Sequence, residues 1–169
     1  MPKESKSADL KTALGVGPIP WDLISPQPSE HKEDLVSVLV FEVGGQVFAI
    51  GVEQTEGVVE CPRISPLPSP PDGIIGVASV RGRITIVMDL SIQTNPDVYK
   101  RRLILVRGES RLGLLADRIE DVVSLSPKKI RDVESYKGGP EKSFWPVRAY
   151  FKSGNRRVPV IDIEQVGEI

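Results

Sequence analysis

One hairpin signature occurs twice in this chain, and that repeat constrains the fold more than any other feature. The first copy runs Phe41-Glu42-Val43-Gly44-Gly45-Gln46-Val47-Phe48-Ala49-Ile50 and resumes at Glu56-Gly57-Val58-Val59. The second runs Leu105-Val106-Arg107-Gly108-Glu109-Ser110-Arg111-Leu112-Gly113-Leu114 and resumes at Glu120-Asp121-Val122-Val123. A shift of about 64 residues lays Gly44 on Gly108, Phe48 on Leu112 and Glu56 on Glu120. A slightly larger shift lays Arg83-Ile84-Thr85-Ile86-Val87-Met88-Asp89-Leu90 on Arg156-Arg157-Val158-Pro159-Val160-Ile161-Asp162-Ile163. Each half opens on a hairpin and closes on an apolar strand ending in Asp plus an aliphatic residue. Two duplicated β units predict a site at their junction, not a catalytic pocket inside either.

Strand signals dominate from Val36 onward. Val36 to Val43 is β-branched and aromatic, and Gly44-Gly45 supplies the φ > 0 residues of a tight hairpin turn. Strands are expected again over Val47 to Val52, Thr55 to Glu60, Ala78 to Arg81 and Arg83 to Leu90, the last two flanking Gly82. In the other half, hairpins pivot at Gly108-Glu109-Ser110 and Ser153-Gly154-Asn155. Pro62, Pro66, Pro68, Pro70 and Pro71 exclude a central strand and predict an extended, rigid surface loop. Ser126-Pro127 predicts one turn of helix, with proline at the first helical position. Short strands with turn signals at this spacing read as small barrels, not one wide sheet.

The first 34 residues differ from the rest: they carry Pro18, Pro20, Pro26 and Pro28 among Ser, Lys, Glu and Asp, without periodicity. They read as a disordered or loosely docked tail (1–34) preceding a domain over 35–169. That domain divides into intertwined halves of about 35–100 and 101–169, read from the repeat. Within the tail, Ile19-Pro20-Trp21-Asp22-Leu23-Ile24 is apolar enough to dock, either on its own domain or as a peptide motif for a partner.

At 169 residues with a net charge of −1, nothing points to nucleic acid or an anionic membrane surface. No apolar run approaches the roughly 18 to 20 residues of a spanning helix, so no direct membrane insertion is expected. The N-terminus lacks an apolar signal region, which makes the cytoplasm the expected compartment. A single cysteine, Cys61, excludes an intramolecular disulfide and reads as a small apolar filler beside Pro62.

Catalytic signatures are missing. His31, the one histidine, lies in the polar tail, so no Ser-His or Cys-His pair is anchored in a core. Neither Gly44-Gly45 nor Gly138-Gly139 is followed by the lysine and hydroxyl residue of a phosphate-binding loop. Asp89 and Asp162 read as turn caps at strand ends rather than paired catalytic carboxylates. Glu120-Asp121 and Lys128-Lys129 read as solvated charge. A non-enzyme is expected, with no metal site and no cofactor.

The run Gly73-Ile74-Ile75-Gly76-Val77-Ala78-Ser79-Val80-Arg81-Gly82-Arg83-Ile84-Thr85-Ile86-Val87-Met88-Asp89-Leu90 resembles the signature segment of CheW-like domains. There, Gly and then Asn-Leu-Arg-Gly lead into an apolar strand that contains a proline and ends in Asp-Leu. The hairpin Phe41 to Ile50, the segment Asp117-Arg118-Ile119-Glu120-Asp121-Val122-Val123 and the closing Val158 to Ile163 fall where that family has counterparts. The resemblance covers about residues 36–166 and implies a mostly β fold of two pseudo-symmetric, five-stranded SH3-like barrels sharing a core.

Two departures stand out. Ser79 replaces the usual Asn, predicting a less rigid Arg81 turn, and Ile86 replaces the usual Pro, which restores a backbone donor. The chain also stops at Ile169, short of the C-terminal helical extension of many relatives.

The resemblance implies a non-catalytic adaptor between a chemoreceptor's cytoplasmic tip and the regulatory domain of a CheA-type histidine kinase, recruited to receptor arrays, with CheW-like ring partners. It places Arg81 in a receptor groove between the barrels, with Thr55, Gly57, Leu103, Gly113, Ile119 and Val122 along its sides. It places the kinase-facing surface on Pro62, Arg63, Ile64, Ser65, Pro66 and Leu67, beside Cys61. Two other readings stay open. One is a specialised CheW-like protein of a pilus, gliding or second-messenger pathway that binds only one usual partner. The other is a ligand- or peptide-binding β-barrel module without a kinase.

Overall fold

The computed structural model describes residues 34–91, 100–132 and 146–166. The tail with its Trp21 island and His31 lies outside them, as does Gly138-Gly139. Among the described residues the chain forms β1 (Val36–Val43), β2 (Gln46–Gly51), β3 (Thr55–Glu60), β4 (Ile64–Ser65), β5 (Ile74–Val80) and β6 (Arg83–Met88). It continues with β7 (Arg102–Val106), β8 (Leu112–Ala116), β9 (Arg118–Leu125), β10 (Arg131–Asp132), β11 (Val147–Ser153), β12 (Arg156–Ile161) and a short helix α1 (Ile163–Val166).

The strands form two six-stranded sheets, ordered β10-β11-β12-β2-β1-β9 and β4-β5-β6-β8-β7-β3. Position by position the two orders are equivalent, down to the one parallel pair in each. Val160 lies beside Ala49 in the first sheet and Val87 beside Gly113 in the second, two pairs that the sequence shifts map onto each other. The hairpin irregularities repeat as well, between Ile74 and Gly76 and between Val147 and Ala149. The two-residue strands β4 and β10 give each sheet a sixth strand beyond the five expected. Each sheet draws on both halves of the sequence: β1 and β2 join β9 to β12, whereas β3 to β6 join β7 and β8.

The parallel pairing is longer in the second sheet, and one residue accounts for this. Ile86 donates its N–H to the Arg111 carbonyl at 2.8 Å and opens a three-residue register with β8. Its counterpart Pro159 has no N–H to give, and β12 pairs with β2 at a single position. The donor restored by Ile86 is thus used.

Strand alternation sorts the apolar residues into three clusters. Val38, Val40, Ala49, Phe151 and Val158 pack inside one sheet, and Ala78, Val87, Leu103 and Leu115 inside the other. The third cluster, which includes Leu39, Phe41, Phe48, Ile50, Met88, Ile104, Leu114 and Ile161, takes residues from both sheets. Ile50 and Leu114 are fully buried and occupy equivalent strand positions, as the repeat requires. They face the core shared by the two sheets and not the interior of either barrel, because the interior position of each strand belongs to Ala49 and Leu115. At Ser126-Pro127 the helical turn is a 3-10 turn over Pro127–Lys129, with no cap from the Ser126 side chain.

Candidate functional site

Arg81 and Gly82 form the tip of the β5–β6 hairpin, both in the left-handed region with φ of 50° and 74°. Gly82 adopts this conformation freely, whereas for a residue with a Cβ it costs about 1 to 2 kcal/mol. Ser79 lies within β5 opposite Ile84, outside the turn itself. The Arg81 side chain is exposed and makes no hydrogen bond or ion pair among the described residues. It therefore does not hold its own turn by bonding carbonyls.

Arg81 opens instead onto a cleft of about 230 Å³ in the second sheet. Its walls carry Arg81, Arg83, Arg111 and Glu56, and its floor Val80, Thr85, Leu105 and Leu112. Glu56 reaches the cleft from the irregularity in β3, where the register slips between Thr55 and Gly57. The Thr55 hydroxyl donates to the Val52 carbonyl at 2.9 Å, and Gly57 carries a φ of 153° at the slip.

The structure thus brings Arg81 together with Glu56, while its neighbours Thr55 and Gly57 do not line the cleft. Leu103 and Gly113 lie beneath the surface: Leu103 is wholly buried, and a Cβ on Gly113 would strike its side chain at 2.8 Å. They support the strand pair and present nothing to a partner in this conformation. Ile119 and Val122 lie on β9 of the other sheet, outside this cleft; Ile119 packs on the shared core and Val122 is exposed.

The proline-rich loop carries β4, which pairs Ile64 with Ala78 and Ser65 with Val77. Ile64 is half-buried against the second-sheet cluster, whereas Leu67, Pro66 and Arg63 are exposed. Gly76 makes this contact possible, since a Cβ there would run into the Ser65 carbonyl. Cys61 is half-buried against the same cluster, consistent with a filler. Burial pushes its thiol pKa up, against the nearby charge of Arg101.

Sequence reasoning missed one buried network. Arg101, 3% exposed, grips Asp89 through Nη1 and Nη2 at 2.6 and 3.1 Å and places Nε 2.6 Å from Asp117. Asp117 in turn accepts the Gly44 N–H at 2.7 Å, tying the β1–β2 turn to the ends of β6 and β7. Asp89 also caps Ser91 as expected, and Asp162 caps Glu164 in the same way, two residues on. Of these two aspartates, among the described residues, Asp89 alone pairs with an arginine. The signal available was Arg101 standing directly before the apolar strand it precedes.

Against this geometry, a CheW-like domain model matches residues 37–168. The chain belongs to the CheW-like domain family. Chemotaxis protein CheW of Bacillus subtilis is 27% identical over 135 residues, covering 76% of this chain and 85% of that protein. Chemotaxis protein CheW of Rhizobium meliloti is 24% identical over 134 residues, with the same coverage. Among solved structures, the scaffolding protein TtCheW from Thermoanaerobacter tengcongensis aligns with a TM-score of 0.65 at 20% identity, over 76% of this chain and 89% of that one. This likeness fixes the fold: the two sheets are the paired barrels of a CheW-like domain.

Proposed function

We propose that this CheW-like chain is a non-catalytic chemotaxis adaptor that couples a chemoreceptor's cytoplasmic tip to the regulatory domain of a CheA-type histidine kinase. The adaptor role rests on the family match, which spans essentially the whole folded unit, and on relatives named for chemotaxis and scaffolding. The coupling role rests on one observation above all: Arg81 is held in a costly conformation, exposed, with no partner of its own. Backbone strain of this kind persists where a side chain must be presented. The receptor contact is assigned to Arg81 and the neighbouring Thr55–Gly57 stretch, with Ile119 and Val122 on the other sheet as a flanking surface. The kinase contact is assigned to Pro62–Leu67, where prolines fix the loop before binding and leave less ordering to be lost. Recruitment from the cytoplasm into receptor arrays and CheW-like ring partners follow from the same reading.

Pull-down of the full chain with a receptor signalling fragment and, separately, with a kinase regulatory domain tests the proposal. Capture by both is expected. Capture by one alone would favour a specialised single-partner CheW-like protein, and capture by neither a barrel module outside kinase signalling.

A further inference from the structure

The duplication supplies an internal reference for the cleft. Glu120 and Arg156 in the first sheet are the repeat equivalents of Glu56 and Arg83 in the second. Arg156 clamps Glu120 with Nη2 and Nη1 at 2.7 and 3.3 Å, and Arg118 approaches the same carboxylate at 3.5 Å. This hold keeps the Glu120 carboxyl below its ordinary range, the Arg156 hydrogen bond being the largest cause. The equivalent pair in the second sheet is open. Glu56 and Arg83 both line the cleft and are exposed, and neither side chain makes an ion pair or hydrogen bond among the described residues.

The second sheet also adds charge where the first has none. Arg81 stands where the first sheet has Gly154, and Arg111 where it has Val47. Neither added guanidinium has a partner among the described residues. Three free guanidiniums thus face one free carboxylate over a floor of Val80, Thr85, Leu105 and Leu112, a net excess of positive charge around a concave site. A guanidinium presents a planar fork that matches a carboxylate in bidentate fashion, and the closed Arg156–Glu120 copy shows the same contact made within the chain.

We propose, resting on the receptor-groove reading of Arg81, that the cleft is a carboxylate-binding site that takes an acidic side chain of the partner protein. Arg83 and Arg111 grip the incoming carboxylate in place of the internal glutamate. Arg81 contacts it from the hairpin tip, while Val80, Leu105 and Leu112 of the floor meet the flanking aliphatic residues. Glu56 is the resident competitor: it disfavours uncommitted anions and sets how acidic a partner must be.

The test uses the full chain and two probes: a short helical peptide rich in glutamate, with its glutamine analogue as control, and a receptor signalling fragment. The acidic peptide should shift the NMR side-chain Nε–H resonances of Arg81, Arg83 and Arg111, and the glutamine analogue should not. Arg83→Gln and Arg111→Gln should each weaken binding about tenfold, the scale of a charged hydrogen bond. Glu56→Gln should tighten it about two- to fivefold, the scale of one exposed charge, with Glu120→Gln without effect. If the peptide binds as described and the receptor fragment does not, the site stands and the receptor reading falls. If the receptor fragment binds wild type, Arg83→Gln and Arg111→Gln alike while the peptide leaves the arginine resonances unmoved, the carboxylate site is overturned and the receptor reading survives. Silence from both probes overturns both.

Discussion

Arg101 and Asp89 form a buried, two-pronged ion pair across 12 residues of sequence, with side-chain exposures of 2% and 9%. Burial pushes the Asp89 carboxyl pKa up. The Arg101 and Ser91 hydrogen bonds outweigh that, and the group titrates below the ordinary carboxylate value. A carboxyl depressed in the folded state contributes stability that is fully present above its unfolded pKa of about 3.9. That contribution is lost as pH falls through the lower folded value. Denaturant titrations of wild type and Asp89→Asn should therefore show a stability gap at pH 7 that narrows once pH drops below about 4. A gap constant down to pH 2 would show that the pair does not hold the carboxylate.

Removing Arg101 strands Asp89 instead of merely deleting a contact. A lone buried charge left by breaking such a pair costs about 3 to 5 kcal/mol. Arg101→Ala should lower the urea midpoint accordingly, and Asp89→Asn in the same chain should recover part of the loss. An unchanged midpoint in Arg101→Ala would mean that water reaches Asp89 freely.

Much of this architecture was legible in the sequence, because a duplicated β pattern records strand positions, turns and pairing twice. The equivalences of Ile50 with Leu114, Ala49 with Gly113 and Val87 with Val160 follow from the two shifts alone, whereas the parallel pairing of Val160 with Ala49 and of Val87 with Gly113 does not. Which face those strands bury did not follow. β8 is buried throughout, and strand alternation does not distinguish a barrel interior from a core shared between barrels. The Arg101 network was hidden for another reason. A charge in a sequence reads as solvated by default, and its partners Asp89 and Asp117 come from separate strand ends. The cleft likewise gathers Glu56, Arg83 and Arg111 from three different strand termini, a meeting fixed by the parallel register of β6 on β8 together with the pairings of β7 with β8 and with β3.

Truncating Ile50 or Leu114 to alanine should destabilise by about 2 to 5 kcal/mol in each case, the range for buried aliphatics. Both belong to the shared core, so the two losses are expected not to add. Urea denaturation of both single variants and the double variant measures this. Strictly additive losses would show that the two positions act as separate cores.

Arg81 separates stability from binding in one substitution. Its left-handed backbone costs about 1 to 2 kcal/mol, and Gly154 holds the equivalent place in the other hairpin at a φ of 61°. Arg81→Gly should therefore leave the fold as stable or more stable, by up to about 1 kcal/mol. The same change should weaken a receptor signalling fragment by about 1 to 3 kcal/mol, the worth of a charged hydrogen-bonding group. A lower melting temperature in Arg81→Gly would show that the side chain holds the hairpin after all.

The loop after β3 offers a sharper probe of the kinase face at Leu67 than at Ile64. Ile64 packs against the second-sheet cluster, so Ile64→Asp would confound folding with binding, whereas Leu67 is 38% exposed beyond β4. Burying the new carboxylate of Leu67→Asp at an interface without a partner is costly, by roughly 2 kcal/mol or more. Leu67→Asp should thus keep the wild-type melting temperature and lose at least tenfold affinity for a kinase regulatory domain. Receptor-fragment binding, assigned to the Arg81 cleft, should be untouched. Titration of the one variant against both isolated partners decides the matter: undiminished kinase affinity would remove this loop from the interface, and equal loss toward both partners would place Leu67 in a surface they share.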